Sequence, residues 1–300
     1  MAVQTATPII ETVQLTKTFK AFWGRERVKA VDRLNMKIYR GEVFGLLGPN
    51  GSGKSTTIRM LLGLLFPTRG YIRIFGRGPR DIQVKRRIGY MPEESHLYKY
   101  LDAQETLDFY ARLFRIPPRE RHKRIDYLID LVGLSRARHR PMREYSKGMA
   151  RRIGLAQALV NDPDLILLDE PTTGLDPIGT REIKDLIIRL RERNKTILLC
   201  SHLLSDVEDI CDRVGILYGG RERRVGRVDE LLSEDERTEI VTQRISPETL
   251  DKVRQVIMES EGESVGITVG KPRRRLDDFF ARVVEEARRE RAATSGAEAG

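Results

Sequence analysis

The run Gly48-Pro49-Asn50-Gly51-Ser52-Gly53-Lys54-Ser55 constrains this chain more than any other segment. It follows the apolar stretch Val43-Phe44-Gly45-Leu46-Leu47 and opens a segment of helical periodicity from about residue 54 to 65. Strand, glycine-rich turn and helix in that order make a phosphate cradle. The glycines let the backbone fold tightly with its N–H groups pointing inward, and the helix start adds partial positive charge. Lys54 is expected to reach the phosphates and Ser55 to hold a divalent cation, with Thr56 completing the binding set.

A second apolar strand, Leu165-Ile166-Leu167-Leu168, ends in Asp169-Glu170. Successive strand residues point to opposite sides, so the two carboxylates can take different tasks. Asp169 suits a Mg²⁺ shell, with Ser55, and Glu170 suits orienting or deprotonating an attacking water.

Elsewhere, residues 9–15 and 34–38 read as strands separated by a basic, aromatic-containing loop at 20–27. Residues 101–143 turn helical, with Leu107, Tyr110, Ala111 and Phe114 recurring at helical spacing, as do Ile125, Leu128, Ile129 and Val132, and Pro117 and Pro118 divide two helices. Helices near 149–160 and 180–193 alternate with strands at 165–168 and 196–200, which predicts a mostly parallel α/β sheet covered on both faces. From about Gly220 the sequence becomes polar: β-like pieces at 239–242 and 265–269, helices near 247–259 and 275–288, and an Ala/Gly/Ser/Glu tail. The expected organisation is a main domain over 1–220, a small α+β appendage over 221–291 and a disordered tail over 292–300.

No apolar run in the 300 residues approaches the ~20 that a bilayer span requires, and the N-terminus lacks the features of a secretory signal. The two cysteines, Cys200 and Cys211, form no metal-like spacing, which suits a reducing compartment. The net charge of +10 is compatible with anionic partners. Its arginines and lysines are dispersed, so a solvated basic surface is expected and no specific nucleic-acid groove.

Three further motifs narrow the class: Tyr145-Ser146-Lys147-Gly148-Met149 opening a helix, Asp169 through Pro177 after the acidic strand, and Ser201-His202 after the next strand. In this order and spacing they resemble the nucleotide-binding domain of ABC ATPases over roughly residues 9–220. The signature motif falls at 146–149, the D-loop at 174–176 and the switch histidine at His202. The resemblance implies a RecA-like α/β core, an antiparallel β subdomain and a helical subdomain at about 101–145. It implies ATP and Mg²⁺ as cofactors, and a head-to-tail dimer. Each ATP then lies between one subunit's 48–55 loop and the other's Ser146 and Gly148, with Asp176 at the seam. Ser146 and the Gly148 N–H, at a helix start, form a second anion site that one subunit cannot fold onto its own phosphate. By the same resemblance His202 contacts the γ-phosphate and water, and an aromatic after the first strand stacks on adenine. Phe19 holds that place; Phe22 or Trp23 are alternatives, since the loop is longer than the family's pattern. His96, His122 and His139 have no such support.

Two departures stand out. The family's Leu-Ser-Gly-Gly-Gln has Lys147 and Met149 in place of its first glycine and its glutamine, and Glu93 stands where the Q-loop glutamine is expected after Tyr90-Met91-Pro92. A carboxylate at 93 can still ligate Mg²⁺ but adds negative charge near phosphates. Both departures, and the C-terminal extension, resemble ABC ATPases that energise a separate exporter-type permease from the cytoplasmic face of the membrane. The alternative is a soluble ABC ATPase acting on ribosomes or nucleic acid. A single phosphate loop and no sustained heptads before Ser146 argue against it.

Overall fold

A computed structural model of the chain describes residues 7–19, 28–94, 97–232 and 246–261. The chain divides into two compact units, Met1–Leu231 and Leu232–Gly300.

In the first unit, β1 (Ile10–Phe19), β2 (Val28–Ile38) and β4 (Arg69–Ile74) form an antiparallel sheet in the order β2-β1-β4. A six-stranded sheet runs β5-β6-β7-β3-β8-β9, with β3 at Val43–Leu47, β5 at Ile88–Met91, β6 at Leu165–Asp169, β7 at Thr196–Ser201, β8 at Arg213–Tyr218 and β9 at Arg221–Arg227. All its pairings are parallel except β8 with β9.

Both faces of β3, β6 and β7 are buried, and the alternation is strict. Val43, Leu47, Ile166, Leu168, Ile197 and Leu199 enter one core. The intervening Phe44, Leu46, Leu165, Leu167, Leu198 and Cys200 enter the other. The first core is closed by Leu107 of α3 (Ala103–Leu113), Ile125 of α4 (Pro118–Leu131), Ile153 of α5 (Lys147–Ala158), Ile183 of α6 (Pro177–Glu192) and Val207 of α7 (Leu204–Ile210). The second is closed by α1 (Lys54–Leu61) and the antiparallel sheet, with α2 (Ile82–Lys85) at its side. Burying each Leu or Ile contributes about 1.5–3 kcal/mol.

Helix ends follow local chemistry. Asp102 and Glu105 make a capping box at the start of α3, and Pro118 occupies the first turn of α4. α1 stops at Leu61 rather than near residue 65, because Gly63 is left-handed at φ 69°. The Gly63 N–H donates to Met60 O and the Leu64 N–H to Arg59 O, which closes the helix as a Schellman motif.

The main unit also runs past residue 220. Arg221–Arg227 pairs with β8 as an edge strand and α8 (Val228–Leu232) follows, which moves the boundary to 231/232. One face of an edge strand meets water, so its arginine-rich sequence reads as polar linker although the backbone is paired. In the second unit, α9 covers Pro247–Glu261. The expected β-like pieces at 239–242 and 265–269, the helix near 275–288 and the tail at 292–300 lie outside the described residues.

Candidate active site

The order β6-β7-β3 brings three strand ends side by side: the 48–53 turn after β3, Asp169-Glu170 at β6, and Ser201-His202 at β7. Ligands in open parallel sheets bind at such carboxyl ends. The turn is crowded from behind. A Cβ at Gly48 would lie 2.2 Å from Leu217 O, and one at Gly53, where φ is 108°, 2.3 Å from Ala30 O. Gly53→Ala is therefore expected to destabilise the fold by at least ~2 kcal/mol, through backbone strain and displacement of β2. A urea midpoint unchanged from wild type would show that the turn is not held this way.

Lys54 is buried and curls back into the turn: its Nζ donates to Gly48 O at 2.6 Å and sits 3.2 Å from Glu170 Oε1. Ser52 is also buried, and its Oγ has no hydrogen-bond partner among the described residues. The strand alternation puts Asp169 on the same face as Leu165 and Leu167, the face that α1 covers, so it meets the first turn of that helix. There Ser55 Oγ donates to Asp169 Oδ1 at 3.5 Å. Burial raises the Asp169 pKa, the Ser55 bond opposes it, and the charges of Glu170 and Glu93 raise it further.

Glu170 leaves the strand in the left-handed region at φ 50°, its N–H donating to Cys200 O at 2.9 Å. Strain of this kind in a buried non-glycine residue is retained at functional sites. Its Oε2 accepts from the Thr173 hydroxyl and the His202 N–H, both at 3.3 Å, and lies 2.8 Å from His202 Nδ1. Lys54, Glu170 and His202 thus form one chain of contacts.

Ser146 caps α5, its Oγ accepting from the Met149 N–H at 3.2 Å. Among the described residues nothing crowds Gly148, whose added Cβ would meet only Ser146 Oγ at 3.9 Å. Asp176 caps α6, accepting from the Gly179 N–H at 2.7 Å. Pro49 and Asn50 are exposed on the turn, Gly51 is open at φ 79°, and Thr56 is partly buried in α1. Phe19 ends β1, 42% exposed, with Lys17 Nζ 5.3 Å from its ring centroid; its strand partner Val28 lies three residues before Val31, which touches the Gly53 position. Phe22, Trp23 and His96 lie outside the described residues. His122 lines a surface groove between α3 and α4, and His139 Nδ1 lies 3.3 Å from Asp102.

Three neighbours of the site carry no motif of their own. Thr173 belongs to the run after Glu170, but its hydroxyl role shows only in three dimensions. Tyr90, on β5, has its pKa pushed up to about 12 by burial and by the charges of Asp169 and Glu93. Arg151, on α5, donates from Nη1 to Pro92 O at 3.1 Å.

A glycine turn between strand and helix, a buried lysine within it and two carboxylates at an adjacent strand end define a P-loop nucleotide hydrolase. The family model described as ABC transporter matches residues 31–173. The chain is 44% identical over 218 residues to the bacitracin transport ATP-binding protein of Bacillus licheniformis, covering 71% of this chain and 68% of that protein. It is 36% identical over 232 residues to the Nod factor export ATP-binding protein I of Ralstonia nicotianae, covering 77% and 70%. The dimeric post-hydrolysis ATP-binding cassette MJ0796, solved with ADP and Pi, superposes with a TM-score of 0.66 at 28% identity, covering 73% of this chain and 98% of that one. The chain belongs to the ABC transporter family and is an ATP-binding, ATP-hydrolysing transporter subunit. No helix among the described residues is long and apolar enough to cross a membrane.

Proposed function

We propose that this subunit works as a head-to-tail pair, hydrolysing ATP held between the 48–55 loop of one copy and Ser146 and Gly148 of the other, and so drives export through a separate permease at the cytoplasmic face of the membrane. The observation that carries this reading is the Lys54, Glu170, His202 chain at the mouth of the phosphate loop. Lys54 is placed to exchange its Glu170 contact for the incoming phosphates, which leaves Glu170 to accept a proton from water. Thr173 and His202 hold the carboxylate in place for that step.

Mg²⁺ fits the donor set. Ser55 Oγ and Asp169 Oδ1 converge at the helix start, both are hard oxygen donors, and Mg²⁺ is ordinarily held by one or two carboxylates plus substrate phosphates. Ser55 and Asp169 would hold it, with Glu93 alongside, and when bound it would neutralise charge on the phosphates.

Pairing is supported by Gly148. No packing among the described residues requires glycine there, whereas close approach of a partner's phosphate does. Gly148→Asp tests this. An acidic residue in the first turn of α5 favours the helix dipole, so folding and ATP binding by the isolated chain are expected to be unchanged. The same charge repels a partner's γ-phosphate, so ATP-driven pairing and hydrolysis are expected to vanish. Wild-type pairing by Gly148→Asp would remove 146–148 from the site.

Coupling to the permease is assigned to the segment after Glu93 and to α3 and α4, where Tyr98, Tyr100, Phe109, Leu113 and Phe114 are exposed. A cluster of exposed aromatics on one subdomain suits a protein interface. Export is favoured by the Nod factor relative's name. The relatives named for transport favour this reading over one on ribosomes or nucleic acid. Adenine stacking is assigned to Phe19 and a seam position to Asp176. The Leu232–Gly300 unit is assigned as an accessory domain.

A further inference from the structure

We infer that Arg151 is a positioning residue of the nucleotide site: it supplies the counter-charge that lets a glutamate stand at position 93 beside the phosphates, and it fastens the strand-end segment carrying that glutamate to the helix that Ser146 caps. The inference rests on the reading of Glu93 and Asp169 as neighbours of bound phosphate.

The register of the sheet sets up the problem. Met91 pairs with Leu168 in the parallel β5–β6 ladder, so Pro92-Glu93 and Asp169-Glu170 leave the sheet next to each other. A neutral side chain at 93 would leave two carboxylates there; Glu93 makes three, with Glu94 just beyond. Lys54 answers Glu170 directly at 3.2 Å. Arg151 reaches the same place from α5, which packs on β5, and its guanidinium donates to Pro92 O, the carbonyl immediately before Glu93. That bond goes to a neutral group, so the charge is shared by its surroundings. Burial lowers the Arg151 pKa, and the carboxylates that oppose the effect are Glu93, Glu94, Asp169 and Glu170. A half-buried guanidinium bonded to the carbonyl before Glu93, at strand ends that also carry Asp169 and Glu170, offsets repulsion that an incoming triphosphate would otherwise meet.

The test is a double-mutant cycle read by calorimetric titration of ATP in excess EDTA, where no metal screens the phosphates. Arg151→Gln is expected to weaken metal-free ATP binding about tenfold in the native background and less than about threefold with Glu93→Gln. Glu93→Gln alone is expected to tighten binding, and Arg151→Lys, which keeps the charge, to stay near wild type. An equal loss in both backgrounds would reduce Arg151 to a packing residue and overturn the proposal. So would unchanged binding in Arg151→Gln, or Glu93→Gln binding no tighter than wild type, a measurement that stands even if Arg151→Gln does not fold. Lys54→Ala serves as the control: unimpaired ATP binding there would show that the phosphate site itself is misassigned, separately from Arg151.

Discussion

Replacing Glu170 with glutamine is expected to lower ATP turnover by ~10²–10⁴-fold while leaving ATP binding intact, and to trap a nucleotide-bound pair. The amide keeps the shape of the carboxylate and an oxygen to accept from Thr173 Oγ1 and the His202 N–H, which lie 3.3 Å from Glu170 Oε2. What it loses is the capacity to take a proton. It also removes a negative charge 3.2 Å from Lys54, so the phosphates meet a more favourable field than in the native chain. With binding preserved and cleavage blocked, ATP that joins two copies has no route to release them, and pairing becomes ligand-driven. Phosphate release assays and size-exclusion chromatography with and without ATP read both halves. Wild-type turnover by Glu170→Gln would remove it from the reaction.

Lys54→Ala is expected to abolish measurable hydrolysis and to weaken ATP binding by roughly 10–100-fold, the equivalent of one charge-assisted bond at ~1.5–3 kcal/mol. The ammonium is already buried at the turn, 2.6 Å from Gly48 O and 3.2 Å from Glu170 Oε1, and trades the second of these contacts for the phosphates on binding. Alanine leaves Glu170 facing the triphosphate without its nearest cation. Calorimetric titration with ATP and a phosphate release assay check the two effects. Hydrolysis at the native rate would contradict the assignment of Lys54.

The two largest effects both come from residues legible in the sequence, and the reason is local. The 48–55 turn, the acidic end of Leu165–Asp169 and the Ser146 cap each declare themselves within a few residues, because backbone chemistry specifies them. Strand alternation even fixes which face Asp169 takes. Elements specified by distant partners were less readable. Arg69–Ile74 is largely exposed, carries two arginines and a glycine, and is a strand because β1 pairs with it. Arg221–Arg227 hides its pairing behind arginines, which shifted the expected boundary to 220. β5 and α7 are short pieces of the same kind, set in place by β6 and by the sheet they pack on. Tyr90 and Arg151 reach the site through tertiary neighbours, whereas Thr173 lies within the run after Glu170 and shows its hydroxyl contact only once that turn is folded.

Two inactive variants, Lys54→Ala and Gly148→Asp, can be mixed to test the shared site. If each ATP lies between one copy's 48–55 loop and the other's 146–148 segment, a mixed pair carries one site with both lesions and one with neither. Phosphate release from an equal mixture is then expected to return to at least roughly a quarter of the wild-type rate: random pairing makes about half of the pairs mixed, each with one intact site, and the failure of like copies to pair raises that share. A mixture as inactive as its components, with mixed pairs demonstrated, would mean that each chain builds its site alone and would contradict the account.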